Sequence, residues 1–403
     1  MADGTGPAVL SAPGADRQNM GGDSTEDAST EDVSTEIVST EIVSSYRVLV
    51  IAEKRGVPMK LGVIGTGKIV HEALFALSHV ETIELKAIFA RPHSADKGKA
   101  LAEKYGIEQV YTDYAQLLAE ADVDAVYIGL VNSAHYGYSK EAMLAGKNVI
   151  LEKPFTSTLA EAEELIQIAK ERNLFILEAI TTIHGPIHKK IEEWLPKIGT
   201  VKVHQGNYSQ YSSRYTDYLQ GKVAPAFDPE LSGGALYDIN LYNIYTAVAL
   251  YGAPVKAVYY PNLGFNGVDT SGVEILQYDG FTATLTGAKD ADSPCHTILQ
   301  GEKGWIKVLG KPNVPQGIDL EYWDEGKPNV PSPSGGMDRA MIKEHYEAPE
   351  LAHRMVPEFT EFARIIDTKD REAADRCAVN SLNVIRVLET SRKGAGIRFG
   401  IDG

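Results

Sequence analysis

The sequence predicts an α/β fold in which a doubly wound parallel sheet is followed by an α+β domain. Between residues 59 and 179, short apolar runs alternate with helical patterns, which is typical of parallel strands joined by helical crossovers. The turn Gly65-Thr-Gly67 joins the first apolar run to the first helix. After about residue 180 strand patterns follow one another directly, and Asp279-Gly280 between two of them is a hairpin signal. Hairpin-linked strands indicate an antiparallel or mixed sheet in the second half.

The individual elements follow from periodicity and capping signals. Ser94 can cap a helix that ends at Gly106, and Thr158-Leu-Ala-Glu161 has the pattern of a capping box. In the first half, strands are predicted at residues 60–65, 83–90, 124–130, 148–151 and 174–178, with helices between them. In the second half, strands are predicted at 200–211, 255–260, 273–278, 281–287, 296–301 and 305–309, and helices at 186–195, 234–251, 353–367 and 374–393.

The composition excludes several classes of protein. The chain has 403 residues, a net charge of −16 and no cluster of lysines and arginines, so no nucleic-acid partner is expected. No apolar run approaches the roughly 18 residues that a membrane span needs, so no membrane partner is expected. Cys295 and Cys377 are too few for a disulfide framework or a four-cysteine zinc site, and they indicate a reducing compartment, the cytoplasm.

Residues 1–58 differ from the rest of the chain. They contain a repeated Ser-Thr-Glu pattern over residues 24–43, whose period fits neither a helix nor a strand. We expect this acidic segment to be a disordered extension, either a regulatory tail or a dispensable one. The predicted domains are then residues 59–179 and residues 180–403.

The turn after the first strand has the features of a dinucleotide-binding site. Gly65 permits a tight turn, Gly67 lets the backbone approach a pyrophosphate, and the helix N-terminus supplies N–H donors. Val70 occupies the third glycine position, which predicts looser packing of the helix on the strand. The alternative is a tight turn without a ligand. The residues expected to contact the cofactor here are Gly65, Thr66, Gly67, Lys68 and Ile69.

The end of the second strand favours NADP over NAD as the cofactor. An NAD enzyme usually has an acidic residue here to bind the ribose hydroxyls, but this chain has Ala90-Arg91. The Arg91 guanidinium can pair with a 2′-phosphate and stack on the adenine. The alternative is that Arg91 is an exposed arginine at a strand end, which leaves NAD possible.

Four motifs resemble those of a known enzyme family. They are Gly62-Val-Ile-Gly65-Thr-Gly67, Val131-Asn-Ser-Ala-His135, Ala145-Gly-Lys-Asn-Val-Ile-Leu-Glu152-Lys153-Pro154 and Gly233-Gly-Ala-Leu-Tyr-Asp238-Ile-Asn-Leu-Tyr242. In this order they resemble the glucose–fructose oxidoreductase / inositol dehydrogenase / rhizopine-catabolism oxidoreductase family, including its dihydrodiol-dehydrogenase-like branch. The resemblance covers residues 59–403 and has no counterpart for residues 1–58.

The resemblance implies that residues 59–179 form a Rossmann domain that binds NAD(P). It implies that residues 180–403 form a domain with a large, mostly antiparallel open sheet, which binds the substrate and mediates oligomerisation. It also implies hydride transfer between a nicotinamide and a C–OH or C=O carbon of a small-molecule substrate such as a sugar or polyol. Family members are commonly homo-oligomers packed through the open sheet, so a homodimer or homotetramer is expected. By family position, Asn132 and His135 are expected to line the cofactor cleft.

Lys153 is a candidate for acid–base chemistry. It lies just past the carboxyl end of a predicted parallel strand, where open α/β sheets bind ligands. Burial and a nearby cofactor can tune its pKa toward neutrality. By resemblance, Lys153 contacts the substrate oxygen, the Lys153–Pro154 bond is cis, and both residues lie at the cofactor with Glu152. Glu152 either orients Lys153 or the nicotinamide ribose, or has a structural role.

Asp238 and Tyr242 are four residues apart on a predicted helix and therefore share a face. The common family pattern has histidine where this chain has Tyr242. A tyrosine beside Lys153 can have a lowered pKa and act as the acid–base group, so the proton carrier is either Tyr242 or Lys153. Asp238 would orient the substrate or the lysine, and Asn240 replaces a usual glycine and would crowd the site. The alternative for Tyr242 is a packed helix tyrosine.

Other side chains give weaker signals. Tyr211 and Arg214 lie in a tyrosine-rich stretch, where a ring can stack on a sugar and the arginine can hold a carboxylate or phosphate. The equal alternative is a packed strand face followed by a loop. His184 and His188 have helical spacing but no accompanying carboxylate motif, so no metal site is predicted.

The sequence therefore predicts an NADP- or NAD-dependent oxidoreductase in which Lys153, Tyr242 and Asp238 are catalytic. These three residues, with Tyr211 and Arg214, are the expected substrate contacts. Two alternatives use the same fold. One is a glycosidase that uses the nicotinamide transiently, and the other is a non-catalytic ligand sensor.

Overall fold

Two sheets organise residues 57–403, the part of the chain that the computed structural model describes. The predicted disordered extension, residues 1–58, lies outside the described residues except for its last two positions. No helix in the described part of the chain is long and apolar enough to cross a bilayer.

The first sheet has six parallel strands in the order β3-β2-β1-β4-β5-β6. The strands are β1 (Met59–Ile64), β2 (Ile83–Phe89), β3 (Gln109–Tyr111), β4 (Ala125–Ile128), β5 (Asn148–Glu152) and β6 (Ile176–Ala179). The helices among them are α1 (Lys68–Leu77), α2 (Ala95–Tyr105), α3 (Tyr114–Glu120), α4 (His135–Leu144) and α5 (Leu159–Glu171). The predicted doubly wound parallel sheet is confirmed. Strand β3 was not predicted because three residues are too few to show a period.

Helix α1 packs closely on the sheet even though Val70 replaces the third glycine. Val70 is fully buried, and its Cγ2 atom would lie 2.8 Å from a Cβ atom on Gly129. The space for the valine is therefore provided by Gly129, which follows β4. The looser packing expected at this position is wrong, because a glycine on the opposite element compensates for the missing one.

The second sheet has eight strands in the order β16-β13-β12-β11-β7-β10-β9-β8. The strands are β7 (Val201–Ser209), β8 (Lys256–Leu263), β9 (Asp269–Tyr278), β10 (Phe281–Ala288), β11 (His296–Gly301), β12 (Gly304–Lys311), β13 (Val314–Trp323) and β16 (Met341–Glu347). A short ribbon pairs β14 (Val330–Pro331) with β15 (Met337–Asp338). Strands β13 to β16 were not predicted: Pro315 and Gly317 interrupt the alternation of β13, β14 and β15 have only two residues each, and β16 is mostly polar.

One pair in this sheet is parallel. Strand β10 runs parallel to β7, and all other neighbours are antiparallel, including the β9–β10 hairpin predicted at Asp279-Gly280. The mixed sheet allowed by the sequence is confirmed. Because parallel strands end at the same edge, Tyr208 on β7 and the residues after β10 lie close together.

The remaining helices cover parts of both sheets. They are α6 (Thr181–His184), α7 (Pro186–Trp194), α8 (Tyr215–Leu219), α9 (Leu241–Tyr251), α10 (Val356–Thr368) and α11 (Arg371–Gly394). The single helix predicted over residues 234–251 is in fact a π-helical turn, Leu236–Asn240, followed by α9. Helix α10 contributes Phe359 and Phe362 to the core beneath the first sheet, and α11 contacts α5, β6 and α9.

Candidate active site

The site is a cleft of about 920 Å³ at the carboxyl end of the first sheet. One end is lined by the glycine turn after β1 and by residues after β2. The other end is lined by Lys153 after β5, by Tyr208 of β7, and by the turn that leads into α9. The two ends have different chemistry: the first presents backbone amides and basic side chains, and the second presents a cluster of ionisable groups.

The glycine turn forms an open cradle for a phosphate group. Gly65 has a φ of +121°, and a Cβ atom there would lie 2.6 Å from the carbonyl oxygen of Gly129. A Cβ atom on Gly67 would meet nothing within 4 Å, so this position faces open space. Gly67 is the N-cap of α1, and no side chain in the described part of the chain caps this helix. The first amides of α1 therefore remain open to an anion, which fits a dinucleotide pyrophosphate.

The outer part of the same end is basic. Arg91, His93, Ser94 and Lys97 line it, whereas Ala90 is fully buried. Ser94 precedes α2, but its hydroxyl donates to the Arg91 carbonyl at 3.0 Å instead of capping the helix as predicted. Without an acidic group for the ribose hydroxyls, this pocket suits a 2′-phosphate better than a free 2′-hydroxyl.

The Lys153 ammonium is held by Asp238 at the floor of the other end. The Nζ atom donates to the Asp238 carboxylate oxygen Oδ1 and to its backbone carbonyl, both at 2.9 Å. The peptide bond between Lys153 and Pro154 is cis. The π-helical turn carries Asp238 into the cleft, and Asp269 holds this turn by accepting from the Leu236 amide at 2.6 Å.

A second lysine, Lys289, holds the other oxygen of Asp238. Its Nζ atom donates to Asp238 Oδ2 and to the Ala226 carbonyl, both at 2.6 Å, and its side chain is 4% exposed. Lys289 directly follows β10, and the sequence analysis missed it. The sequence shows this lysine just after a predicted strand. Only the parallel pairing of β10 with β7 places the end of that strand at the cleft.

Electrostatics in the cluster keep Asp238 ionised. Burial alone would raise the pKa of Asp238, but Lys153 and Lys289 outweigh it and hold that pKa well below its usual range. Burial would likewise lower the pKa of Lys153, but the charge of Asp238 and the neighbouring Tyr242 raise it above its usual value. The expected tuning of Lys153 toward neutrality is therefore wrong, because a carboxylate lies at hydrogen-bond distance.

Tyr242 lies beside the Lys153 ammonium, whose Nζ atom is 5.1 Å from the centre of the ring. The ring also contacts Tyr208 edge to face at 5.7 Å between centroids. Burial raises the pKa of Tyr242, and the charges of Lys153 and Arg354 only partly oppose this. The expected lowering is wrong, so Tyr242 is a neutral phenol that can donate a proton.

Glu152 lies behind Lys153 and is almost fully buried. Its carboxylate accepts from the Tyr127 hydroxyl at 2.8 Å, and burial raises its pKa. Arg354 is a further cleft residue that the sequence analysis missed. It donates to Glu72 of α1 at 2.6 Å and so connects the loop before α10 to the helix of the glycine turn.

Several residues predicted for the site lie elsewhere. His135 is fully buried, and its ring contacts the Pro154 and Leu130 carbonyls at 2.8 and 3.2 Å, so it supports the cleft wall instead of lining it. Pro154 is buried and Tyr211 is exposed outside the cleft. Asn240 does not crowd the site, because its amide donates to the Leu285 carbonyl within the core.

Other predicted residues do line the cleft. At the end with the glycine turn these are Gly65, Thr66, Gly67, Lys68, Ile69, Arg91, Asn132 and Glu152. At the end with the lysine cluster they are Lys153, Asp238, Tyr242 and Arg214. Within residues 57–403, no three His, Cys, Asp or Glu side chains come together in a way that could hold a metal ion.

Two family models match the chain. The model described as an oxidoreductase family with an NAD-binding Rossmann fold covers residues 59–179. The model of the GFO/IDH/MocA C-terminal domain covers residues 196–307. The chain belongs to the GFO/IDH/MocA oxidoreductase family. Members of this family are NAD(P)-dependent oxidoreductases, and so is this chain.

Relatives within the family are enzymes that act on sugars, polyols and similar molecules. A scyllo-inositol 2-dehydrogenase (NADP+) from Bacillus subtilis is 35% identical over 348 residues, which are 85% of this chain and 99% of that protein. A trans-1,2-dihydrobenzene-1,2-diol dehydrogenase from Xenopus tropicalis is 29% identical over 62% of this chain and 74% of its own. A 3-ketoreductase from Actinomadura kijaniata, solved with NADP and TDP-benzene, has 26% identity and a TM-score of 0.69 and covers 84% of this chain and 98% of its own.

Proposed function

We propose that this oxidoreductase uses NADP(H) to interconvert a secondary alcohol and a ketone on a polyol or sugar. The observation that carries the proposal is the common cleft: the phosphate cradle at Gly67 and the Lys153 ammonium face the same space. When bound, NADP(H) would accept or supply the hydride. The Gly65–Ile69 turn would hold its pyrophosphate, and Asn132 and Glu152 would lie near its nicotinamide half.

Lys153 and Tyr242 would carry the proton of the substrate oxygen. At neutral pH both are protonated, because the pKa of each is raised. In the reductive direction one of them donates its proton to the oxygen as it becomes an alkoxide and is then reprotonated from solvent. In the oxidative direction that group first loses its proton to solvent, and its deprotonated form accepts the proton of the alcohol. Asp238 would not act as a base, because both of its oxygens already accept from lysines.

The preference for NADP is supported by the basic outer pocket. Arg91 and Lys97 line it, and the buried Ala90 leaves no carboxylate to repel a 2′-phosphate. The Bacillus subtilis relative is named for NADP+, and the Actinomadura kijaniata structure contains NADP. Arg214 is an exposed residue that lines the cleft, and it would hold a polar or anionic substituent of the substrate.

Lys153→Ala tests the role of the site. The variant should bind NADPH with an affinity within about twofold of the wild type, since the phosphate cradle is intact, and its kcat should fall by at least about 100-fold. NADPH binding is measured by calorimetry. Turnover is measured with inositols, aldoses and dihydrodiols in the presence of NADP+ or NAD+. Retained turnover by the variant would reject the assignment, and the absence of pyridine-nucleotide binding by the wild type would reject the function.

We further propose that the chain forms a homodimer or homotetramer through the second sheet. The row Lys307, Ile298, Gln205, Thr284 and Ile275 lies on the face opposite α9, and each of these side chains is partly exposed. Light scattering at several protein concentrations tests this, and a strictly monomeric mass would contradict it. The two free cysteines support a cytoplasmic location.

A further inference from the structure

Lys289 is a buried lysine at the floor of the cleft, and the reaction proposed above gives no role to its charge. It lies on the far side of Asp238 from Lys153, and its Nζ atom is 4.3 Å from the centre of the Phe227 ring. Desolvating an ammonium costs several kcal/mol unless it is paired, so a lysine this deeply buried needs a strong partner. Asp238 is that partner.

The net charge of the cluster depends on Lys289. A pair of Lys153 and Asp238 alone has no net charge, and it would do little for an alkoxide forming on the substrate. With Lys289 the three groups carry one net positive charge. Fixed positive charge aimed at a developing oxyanion is usually a large contribution to catalysis.

We propose that Lys289 is a positioning residue that acts through Asp238, so that the charge of Lys153 remains available to the substrate oxygen. This inference rests on the proposed function. The geometry supports it in a second way. Lys153 directs two of its three N–H bonds to Asp238, which leaves one for a substrate. Lys289 fixes the carboxylate from the other side, and so fixes the direction of that remaining bond.

The cluster also has a predictable response to pH. Burial lowers the pKa of Lys289, and Asp238 and Asp269 only partly oppose this, while the nearby charge of Lys153 adds to it. The pKa values of Lys153 and Tyr242 are raised instead. As pH rises, Lys289 therefore loses its proton before Lys153 does. The cluster then becomes neutral, and the rate of ketone reduction falls.

The test is Lys289→Met, which keeps most of the length of the unbranched side chain and removes its charge. The reaction followed is reduction by NADPH of the ketone derived from the best alcohol in the screen above. We expect kcat to fall on the order of 10- to 100-fold with KM changed less than about threefold, because the alkoxide charge develops in the transition state. The part of the basic limb of the pH–kcat profile that belongs to Lys289 should disappear, which leaves only the loss of the protons of Lys153 and Tyr242 at higher pH. In Lys289→Arg, which keeps the charge without titrating, that limb should move to higher pH.

A double-mutant cycle with Asp238→Asn separates positioning from other roles. Asp238→Asn alone leaves two lysines without their counter-ion, and adding Lys289→Met restores a single positive charge. In the Asp238→Asn background, Lys289→Met should therefore cost less than about threefold in kcat or raise it. If the losses in kcat from Asp238→Asn and Lys289→Met multiply in the double variant, Lys289 contacts the substrate independently of Asp238, and the proposal is overturned.

Unfolding and failure of the proposed function can be told apart from failure of this inference. Melting temperature and NADPH affinity are measured for every variant. If Lys289→Met does not fold, Lys289→Gln replaces it, since its amide can still donate to the Ala226 carbonyl. A wild type that binds no NADPH rejects the proposed function. A folded variant that binds NADPH and keeps the wild-type kcat and pH profile rejects only the role of Lys289.

Discussion

Asp238 is the residue that connects the groups of the site, because each of its carboxylate oxygens accepts from a different lysine. The motifs that resemble a known family were sufficient to place Lys153, Asp238 and Tyr242 in the cleft. They were insufficient for Lys289 and Arg354, which lie in no motif. These two reach the cleft only through contacts with residues far away in the sequence, such as that between Arg354 and Glu72.

Arg91→Ala should weaken NADP+ binding and leave NAD+ binding nearly unchanged. An arginine–phosphate pair is charge-assisted, so its loss should raise the Kd for NADP+ by about 10- to 100-fold. Calorimetry with both cofactors gives the two affinities. Lys99→Ala is the matched control, because Lys99 is exposed on α2 and does not line the cleft. An equal loss for NAD+ and NADP+ would show that Arg91 does not read the 2′-phosphate.

Tyr242→Phe should remove a proton donor while the ring stays packed on Tyr208. We expect kcat for reduction to fall by about 100-fold or more, with NADPH affinity unchanged. Tyr245→Phe is the control on the same helix. The Tyr245 hydroxyl donates to Glu178 at 3.1 Å in the core, so its loss should lower stability and leave kcat unchanged. A wild-type kcat for Tyr242→Phe would assign the proton to Lys153 alone.

At the scale of elements, the π-helical turn Leu236–Asn240 carries Asp238 into the cleft. Helical periodicity predicted one continuous helix over residues 234–251, and that prediction is wrong for its first part. A buried carboxylate, Asp269, holds the turn by accepting from the Leu236 amide and from the Tyr259 hydroxyl at 2.8 Å. Since Asp269 lies on another strand, the local sequence carries no sign of this departure from the α-helix.

Asp269→Ala should loosen the turn that carries Asp238. Two buried donors lose their partner, each at a cost of about 1–3 kcal/mol in the free energy of unfolding, and kcat should fall while NADPH affinity holds. Thr158→Ala is the control, because it removes the cap of α5, where Thr158 accepts from the Glu161 amide. It should cost about 1 kcal/mol of stability and leave kcat unchanged. Denaturant titration and steady-state kinetics measure both, and an unchanged kcat in Asp269→Ala contradicts the role of the turn.

At the scale of the whole molecule, two sheets that differ in the direction of their strands form the site. The first is fully parallel, so the carboxyl ends of its strands bring the glycine turn after β1 and Lys153 after β5 to the same cleft. The second is antiparallel except for β7 and β10, and this one parallel pair places Tyr208 and Lys289 at the same edge. The pair of Arg354 and Glu72 then links the last third of the chain to α1.

Removing residues 1–56 should leave the enzyme active. The first strand begins at Met59, which is 1% exposed and whose amide donates to the Thr82 carbonyl at 2.9 Å. The cleft residues named above all lie after this strand. We expect the melting temperature to change by less than about 2 °C and kcat by less than about twofold. A large change in either would show that the extension has a role in folding or regulation.

The sequence by itself predicted the α/β class and the glycine turn from periodicity and spacing, and the resemblance of its motifs to a known family pointed to Lys153, Asp238 and Tyr242. Only the tertiary structure decided the direction of the pKa shifts, the burial of His135 and the position of Lys289 at the floor of the cleft. These depend on which groups meet across the cleft. Charge interactions and desolvation are set by distance in space, and distance along the chain does not encode them.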